Sequence, residues 1–180
     1  MAAEAPLALD PDLLAQIPVF GGLSEPVLAR ILGAAREVRV DAGTQVIEEG
    51  ELASGMFVVA DGELEICKRG RNGAEFCLAV LRRGACVGEM SLIDIQPRSA
   101  TVRALAPSLL YVLDQSQIAK LYASDLEAYT MLVLNIAREI SRRLRRADQV
   151  LVDMGVAVQG AWGHDPLPPG PPQHARGPAR

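Results

Sequence analysis

One stretch of this 180-residue chain has residue types that could hold an anion beside a hydroxyl-bearing group: Gly88-Glu89-Met90-Ser91-Leu92-Ile93-Asp94-Ile95-Gln96-Pro97-Arg98-Ser99-Ala100-Thr101. Gly88 permits close backbone approach, and Glu89 to Ile93 can form one helical turn. The start of such a turn presents free N–H groups and a partial positive charge, which suit an anion. Arg98 follows a proline and precedes small residues, and a guanidinium can fork onto two oxygens of a phosphate. Ser99 and Ala100 let backbone amides and one hydroxyl approach the same anion. Glu89 would repel a phosphate unless it faced another group, such as a sugar hydroxyl that donates to it. A buried Glu89–Arg98 ion pair would use the same two residues with no ligand at all, so the segment by itself leaves both readings open.

The rest of the composition narrows the chemistry. About half of the residues are apolar (49%), enough for a real core, and the net charge of −4 suggests no whole-chain affinity for nucleic acid or an anionic membrane. The two histidines, His164 and His174, both fall in the C-terminal tail, so a histidine-based metal or catalytic centre is not expected in the folded part. Cys67, Cys77 and Cys86 are odd in number and widely spaced, which suits neither a disulfide framework nor a structural zinc site; they read as small apolar residues in or near strands of a cytoplasmic protein. Apolar runs fall short of the ~18 residues a membrane span needs. MAAEAPLALDPD has no charged n-region or h-region, so no secretory signal is expected.

Positioning the anion-binding segment requires a rigid frame, and the pattern around it supplies one. From Asp10 to Arg36, apolar residues recur at helical spacing; Ser24 and Pro26 suggest a helix start and Gly33 an end, giving two short helices joined around Pro18–Gly22. From Glu37 to Asp114, short β-rich runs recur at Val38–Val40, Thr44–Ile47, Met56–Val59, Glu63–Cys67, Phe76–Leu81, near Cys86, Thr101–Ala104 and Leu109–Leu113. Asp61-Gly62 and Asn72-Gly73 fit type I′ hairpin turns. Regular short strands of this kind point to a sandwich or a barrel. A short helix follows from Ser116 or Gln117 to Leu121. Beyond Ser124-Asp125, the positions Tyr129, Val133, Ile136, Ile140, Leu144, Ala147 and Leu151 form one stripe of a helix of roughly 25 residues. That stripe reaches past a small β domain and predicts a partner helix, hence a homodimer. From Gly155 onward, Pro and Gly dominate and periodicity is lost, which predicts disorder.

Gly-Glu-Met-Ser-Leu-Ile-x-x-x-Pro-Arg-Ser-Ala-Thr-Val-Arg-Ala resembles the phosphate-binding cassette of cyclic-nucleotide-binding domains, the family of catabolite activators and of regulatory subunits of cyclic-AMP-dependent protein kinase. The resemblance runs from about Leu13 to Leu151 and includes Ile-Pro-Val-Phe-Gly-Gly-Leu, Gly43-Thr44, Glu49-Gly50 and Phe57-Val58-Val59. It implies a mainly β fold with flanking α-helices: an eight-stranded jelly-roll-like β-barrel with N-terminal helices and a long C-terminal helix. It also implies a division into a tail over 1–9, a nucleotide-binding domain over 10–124, a lid or dimerisation helix over 125–154 and a tail over 155–180. By position, Glu89 would accept from the ribose 2′-hydroxyl and Arg98 would pair with the cyclic phosphate. Gly88, Met90, Ser91, Ser99 and Ala100 would line the pocket, and Leu78 and Val87 would meet sugar or base. Arg142-Arg143-Leu144 matches the family's long helix, placing Ala147 and Asp148 where the purine is capped. The Asp148 carboxylate could accept from the adenine N6 amino group, which favours cyclic AMP over cyclic GMP as the ligand.

These features imply a non-catalytic sensor whose ligand is a cyclic nucleotide, with no cofactor or metal, acting on an effector protein that the sequence does not identify. Two rival readings stand beside it. One is an interaction module with a vestigial pocket. The other is a transcription regulator of the activator type acting without a DNA-binding domain of its own, since the Pro/Gly-rich tail cannot supply a recognition helix and direct DNA binding is not expected.

Overall fold

The computed structural model describes residues 9–153 apart from Ala53 and Ile95. The disordered tail expected from Gly155 lies outside the described residues, as does the N-terminal tail up to its last residue; Leu9, assigned to that tail, is buried in the core. The chain forms two compact units, Met1–Arg143 and Leu144–Arg180. No helix among the described residues is long and apolar enough to cross a membrane.

The first unit opens with α1 (Pro11–Gln16), a 3-10 turn at Pro18–Phe20 and α2 (Glu25–Ala34). Asp10 caps α1 by accepting from the Leu13 amide at 2.7 Å. Ser24 stands at the N-cap of α2 with an early proline, as expected, but its hydroxyl makes no capping bond. The helix runs through Gly33 to Ala34 rather than ending there.

Eight strands follow where the sequence places them: β1 (Arg36–Val40), β2 (Gln45–Ile47), β3 (Gly55–Asp61), β4 (Leu64–Arg69), β5 (Glu75–Leu81), β6 (Cys86–Val87), β7 (Thr101–Ala104) and β8 (Ser108–Asp114). They form two four-stranded antiparallel sheets, ordered β1-β8-β3-β6 and β2-β7-β4-β5. Among the described residues no pairing joins one sheet to the other, so the expected closed barrel is a two-sheet jelly roll instead. The apolar side chains explain why. Ile47, Leu64, Val102 and Ala104 of the second sheet meet Val59, Val87 and Leu110 of the first in one core. The other face of the first sheet, through Met56, Val58, Leu109 and Leu113, packs against Leu14, Phe20, Leu28, Leu132 and Ile136 of the helices. Strand β8 is thus covered on both faces, and its Leu109–Leu113 run is continuously apolar.

The glycines of the two hairpin dipeptides, Gly62 and Gly73, have φ of +91° and +81°, but neither Asp61 nor Asn72 has positive φ, so the turns are not type I′. At Gly62 a side chain is also excluded sterically, because a Cβ would collide with the Ser108 hydroxyl.

After β8 come α3 (Gln115–Ser124) and α4 (Leu126–Asp153). A capping box joins Asp114 and Gln117 at the start of α3. Asp125 caps α4 by accepting from the Ala128 amide at 3.0 Å and also pairs with Arg30 at 3.1 Å. The ion pair is solvent-exposed and contributes little, so Asp125→Ala should cost about 1 kcal/mol, the value of the lost cap, read as a lower urea midpoint with unchanged slope.

In α4 the deepest residues are Ala128, Leu132, Asn135 and Ile136. The expected stripe is therefore displaced: Ile136 belongs to the core, whereas Tyr129, Val133 and Ile140 are half-buried. In the second unit, Leu144 and Leu151 are exposed.

Candidate functional site

The geometry of the segment after β6 begins with Gly88. Its φ of +80° turns the chain out of the strand, and a Cβ there would collide with the Arg98 guanidinium. Residues Glu89–Leu92 then form a single 3-10 turn. The Ser91 hydroxyl donates back to the Gly88 carbonyl at 2.7 Å, closing the turn on itself. On the far side of the segment, the Arg98 amide donates to the Glu51 carbonyl and the Gly50 amide to the Arg98 carbonyl, both at 2.9 Å. The Lys68 ammonium donates to the Ser99 carbonyl at 3.0 Å, and Thr101 Oγ1 accepts from the Glu49 amide at 3.1 Å. One arm of the segment thus closes on itself after β6, the other is held by the loop after β2 and by β4, and a hollow is left between them.

That hollow is a cavity of about 300 Å³ lined by Ile47, Gly88, Glu89, Met90, Ser91, Asp94, Gln96, Pro97, Arg98, Ser99, Ala100 and Arg143. Its size lies at the lower end of small-ligand pockets. Seven of the ten residues assigned to the site from sequence, Gly88, Glu89, Met90, Ser91, Arg98, Ser99 and Ala100, meet there. The other three are not among its lining residues. Val87 is buried in the core between the sheets. Leu78 lies on the edge strand β5 and is 61% exposed. Asp148 belongs to the second unit and is exposed.

The electrostatics of the cavity are unusual in what they leave open. Glu89 is 1% exposed and Arg98 is 6% exposed, yet no ion pair links them. Glu89 Oε1 instead accepts from Arg143 Nη1 at 2.7 Å, while Arg143 Nη2 donates to the Cys86 carbonyl at 3.0 Å. Arg98 Nη1 donates only to neutral oxygens, the Gly88 carbonyl at 3.1 Å and Ser91 Oγ at 3.3 Å. Its nearest carboxylate, Glu51, stands 3.8 Å from Nε, and the guanidinium lies 6.0 Å from the centre of the Phe57 ring. Among the described residues, two buried side-chain polar atoms lack a hydrogen-bond partner: Glu89 Oε2 and Arg98 Nε. Burial raises the Glu89 pKa, and Arg143 draws it partly back. Burial also lowers that of Arg98, against the pull of Glu51 and then Glu89. Lining the cavity are thus a carboxylate with one oxygen lacking a donor and a desolvated cation whose nearest carboxylate stands 3.8 Å away, on opposite arms of one loop.

Arg143 lines the cavity from outside the cassette. The sequence pointed to it only as part of Arg142-Arg143-Leu144. A clearer signal was available: Asn135, Glu139 and Arg143 follow one another at four-residue steps, a polar line continuing the buried face of α4.

Residues 37–125 match the cyclic nucleotide-binding domain family. The chain is 35% identical over 94 residues to a cGMP-dependent protein kinase of Caenorhabditis briggsae, covering 52% of this chain and 12% of the kinase. It is 34% identical over 91 residues to a cAMP-dependent protein kinase regulatory subunit of Yarrowia lipolytica, covering 51% of this chain and 24% of that one. Among solved structures, the Thermus thermophilus catabolite activator protein superposes with a TM-score of 0.68 at 28% identity, covering 77% of this chain and 63% of the activator. The chain therefore spans only a part of each of these relatives. With the fold, the cassette and the match in agreement, residues 37–125 form a domain of the cyclic nucleotide-binding family.

Proposed function

We propose that the chain is a cyclic-nucleotide sensor, with cyclic AMP as its ligand, that passes occupancy to a partner through α4 and catalyses no reaction. The observation that carries this reading is a pair of buried polar atoms without a hydrogen-bond partner, Glu89 Oε2 and Arg98 Nε, on two residues that line one cavity. A ribose 2′-hydroxyl donates to the first. A cyclic phosphate takes the guanidinium of Arg98, with Ser99, Ala100 and the first amides of the Glu89–Leu92 turn around it. A structural ion pair between Glu89 and Arg98 would have satisfied both groups without a ligand; the two groups have other neighbours.

Transmission follows from Arg143, which ties α4 to Glu89. A ligand that changes the hydrogen bonding of Glu89 changes how firmly that tie holds, and it shifts the position of α4 only by its differential affinity for the two states. The exposed Leu144 and Leu151, from the stripe predicted to seek a partner helix, are the proposed contact with a second copy of the chain. Leu78 and Asp148, both exposed, are the proposed base contacts, and the Asp148 carboxylate accepting from adenine N6 is the basis for preferring cyclic AMP to cyclic GMP.

Thermal unfolding with cyclic AMP, cyclic GMP and cyclic dinucleotides tests the reading. Ligand at a hundredfold excess over its Kd should stabilise the native chain by about 2.7 kcal/mol, with cyclic AMP effective at the lowest concentration and recovered unchanged afterwards. No shift with any of them would leave the pocket without a ligand and favour an interaction module built on α4.

A further inference from the structure

Away from the cassette, β4 and β5 bring two thiols together. Cys67 and Cys77 are direct cross-strand partners, and both are free, with their Sγ atoms 2.8 Å apart. The pairing shifts register between Ile66 and Cys67; directly opposed residues of a regular antiparallel pair have Cα atoms about 4.5–5.5 Å apart, inside the roughly 4.4–6.8 Å range of disulfides. The sulfurs need to close by less than about 1 Å to reach the ~2.05 Å of a disulfide bond. The third cysteine, Cys86, is buried on β6 in the other sheet and takes no part.

The two thiols are not equivalent. Cys77 is exposed and its Sγ donates to Glu65 Oε2 at 3.4 Å, whereas Cys67 is 1% exposed. Burial, with Cys77 and Glu65 adding to it, pushes the Cys67 thiol up to about 12. An oxidant arriving from solvent therefore meets Cys77 first.

We propose that Cys67 and Cys77 are a dithiol–disulfide site, closed by exchange with a low-molecular-weight disulfide such as oxidised glutathione. The Cys77 thiolate attacks one glutathione sulfur, forming a mixed disulfide and releasing one glutathione thiolate. Cys67 then gives up its proton, its sulfur attacks the Cys77 sulfur of the mixed disulfide, and the second glutathione leaves as thiolate. The chain loses two electrons and two protons, and one oxidised glutathione becomes two reduced ones. The sequence argument against a disulfide, an odd count at wide spacing, missed this pair because register, not spacing, makes them neighbours.

The site adjoins the cassette without depending on its ligand. On its other side Cys67 is partnered by Thr101, the last cassette residue, and the next residue, Lys68, holds the Ser99 carbonyl.

The test uses the full chain, incubated with oxidised glutathione, alkylated and digested with trypsin without reduction. Residues 40–68 and 72–82, which trypsin separates at Lys68, Arg69 and Arg71, should appear as one linked species, two hydrogens lighter than the sum of the free peptides. Cys77→Ser, at an exposed position, should lose that species, and Cys86→Ser should keep it. A glutathione adduct persisting on Cys77 while Cys67 stays alkylatable would overturn the proposal. So would linkage between two copies, or a stoichiometric metal ion already held on both sulfurs.

Discussion

Arg98→Ala should weaken cyclic-nucleotide binding by roughly ten- to a hundredfold, from the loss of charge-assisted hydrogen bonds to the phosphate, and should leave the unliganded fold no less stable. The second half of this expectation separates the ligand reading from a structural one. In the unliganded chain Arg98 is a desolvated cation with a 4% exposed side chain, bonded to two neutral oxygens and 3.8 Å from a half-exposed carboxylate. Burial lowers its pKa, which means the folded state is penalised for carrying the charge. Taking the charge away removes that penalty, and the space left opens into a cavity that water can fill. Arg98→Lys should recover part of the affinity but not all of it, because an ammonium supplies the charge without the planar fork. Calorimetric titration gives the affinities, and melting without ligand gives the stabilities. Unchanged affinity in Arg98→Ala would end the assignment, and a fall in stability as large as the fall in affinity would turn Arg98 into a residue of the fold.

The strands were legible because short β-rich runs recur between turn residues; all eight appear where the pattern puts them. What alternation does not carry is which face is covered. Phe76, Leu78 and Val80 alternate as an inward-facing strand does, yet all three are exposed, and neither apolar core includes them. The stripe of α4 shows the same limit. Choosing Val133 over Leu132 gives an equally regular helical line, but Leu132 is fully buried and Val133 is not. The cassette itself was readable because the parts proposed to bind the anion lie within about a dozen consecutive residues. Arg143 was readable only as the end of the Asn135-Glu139-Arg143 line; that it meets Glu89, across 54 positions, no local pattern encodes. Nor does local pattern distinguish a Glu89–Arg98 pair from a Glu89–Arg143 pair; only the fold decides which guanidinium takes the carboxylate.

That choice of partner gives the second large effect. Arg143→Ala removes the donor to Glu89 Oε1 while Oε2 is already unpartnered, so a buried carboxylate is left bare. Breaking a buried ion pair costs about 3–5 kcal/mol. The Arg143 side chain is a third exposed, so water replaces part of what is lost, and the cost at pH 7 should be about 2–3 kcal/mol. The loss should depend on pH with a definite sign. The Glu89 pKa is already raised by burial above its ordinary 4.5, and Arg143 is the strongest influence holding it down. Without Arg143 it rises further. A carboxyl group whose folded pKa exceeds its unfolded value binds its proton more tightly when folded, so stability is greatest below the unfolded value and falls as pH rises through the folded one. The gap between wild type and Arg143→Ala should therefore be smallest near pH 4, where the losses are the bond to the Cys86 carbonyl and the contact with Glu139 at 3.5 Å, and should widen as pH increases. Adding Glu89→Gln to Arg143→Ala should remove this pH dependence, since no charge remains to be stranded. Urea unfolding of the four chains of this cycle between pH 4 and 8 measures it. A gap that stays constant with pH would mean that Arg143 supports α4 by packing alone, and the route proposed from the ligand cavity to that helix would fail with it.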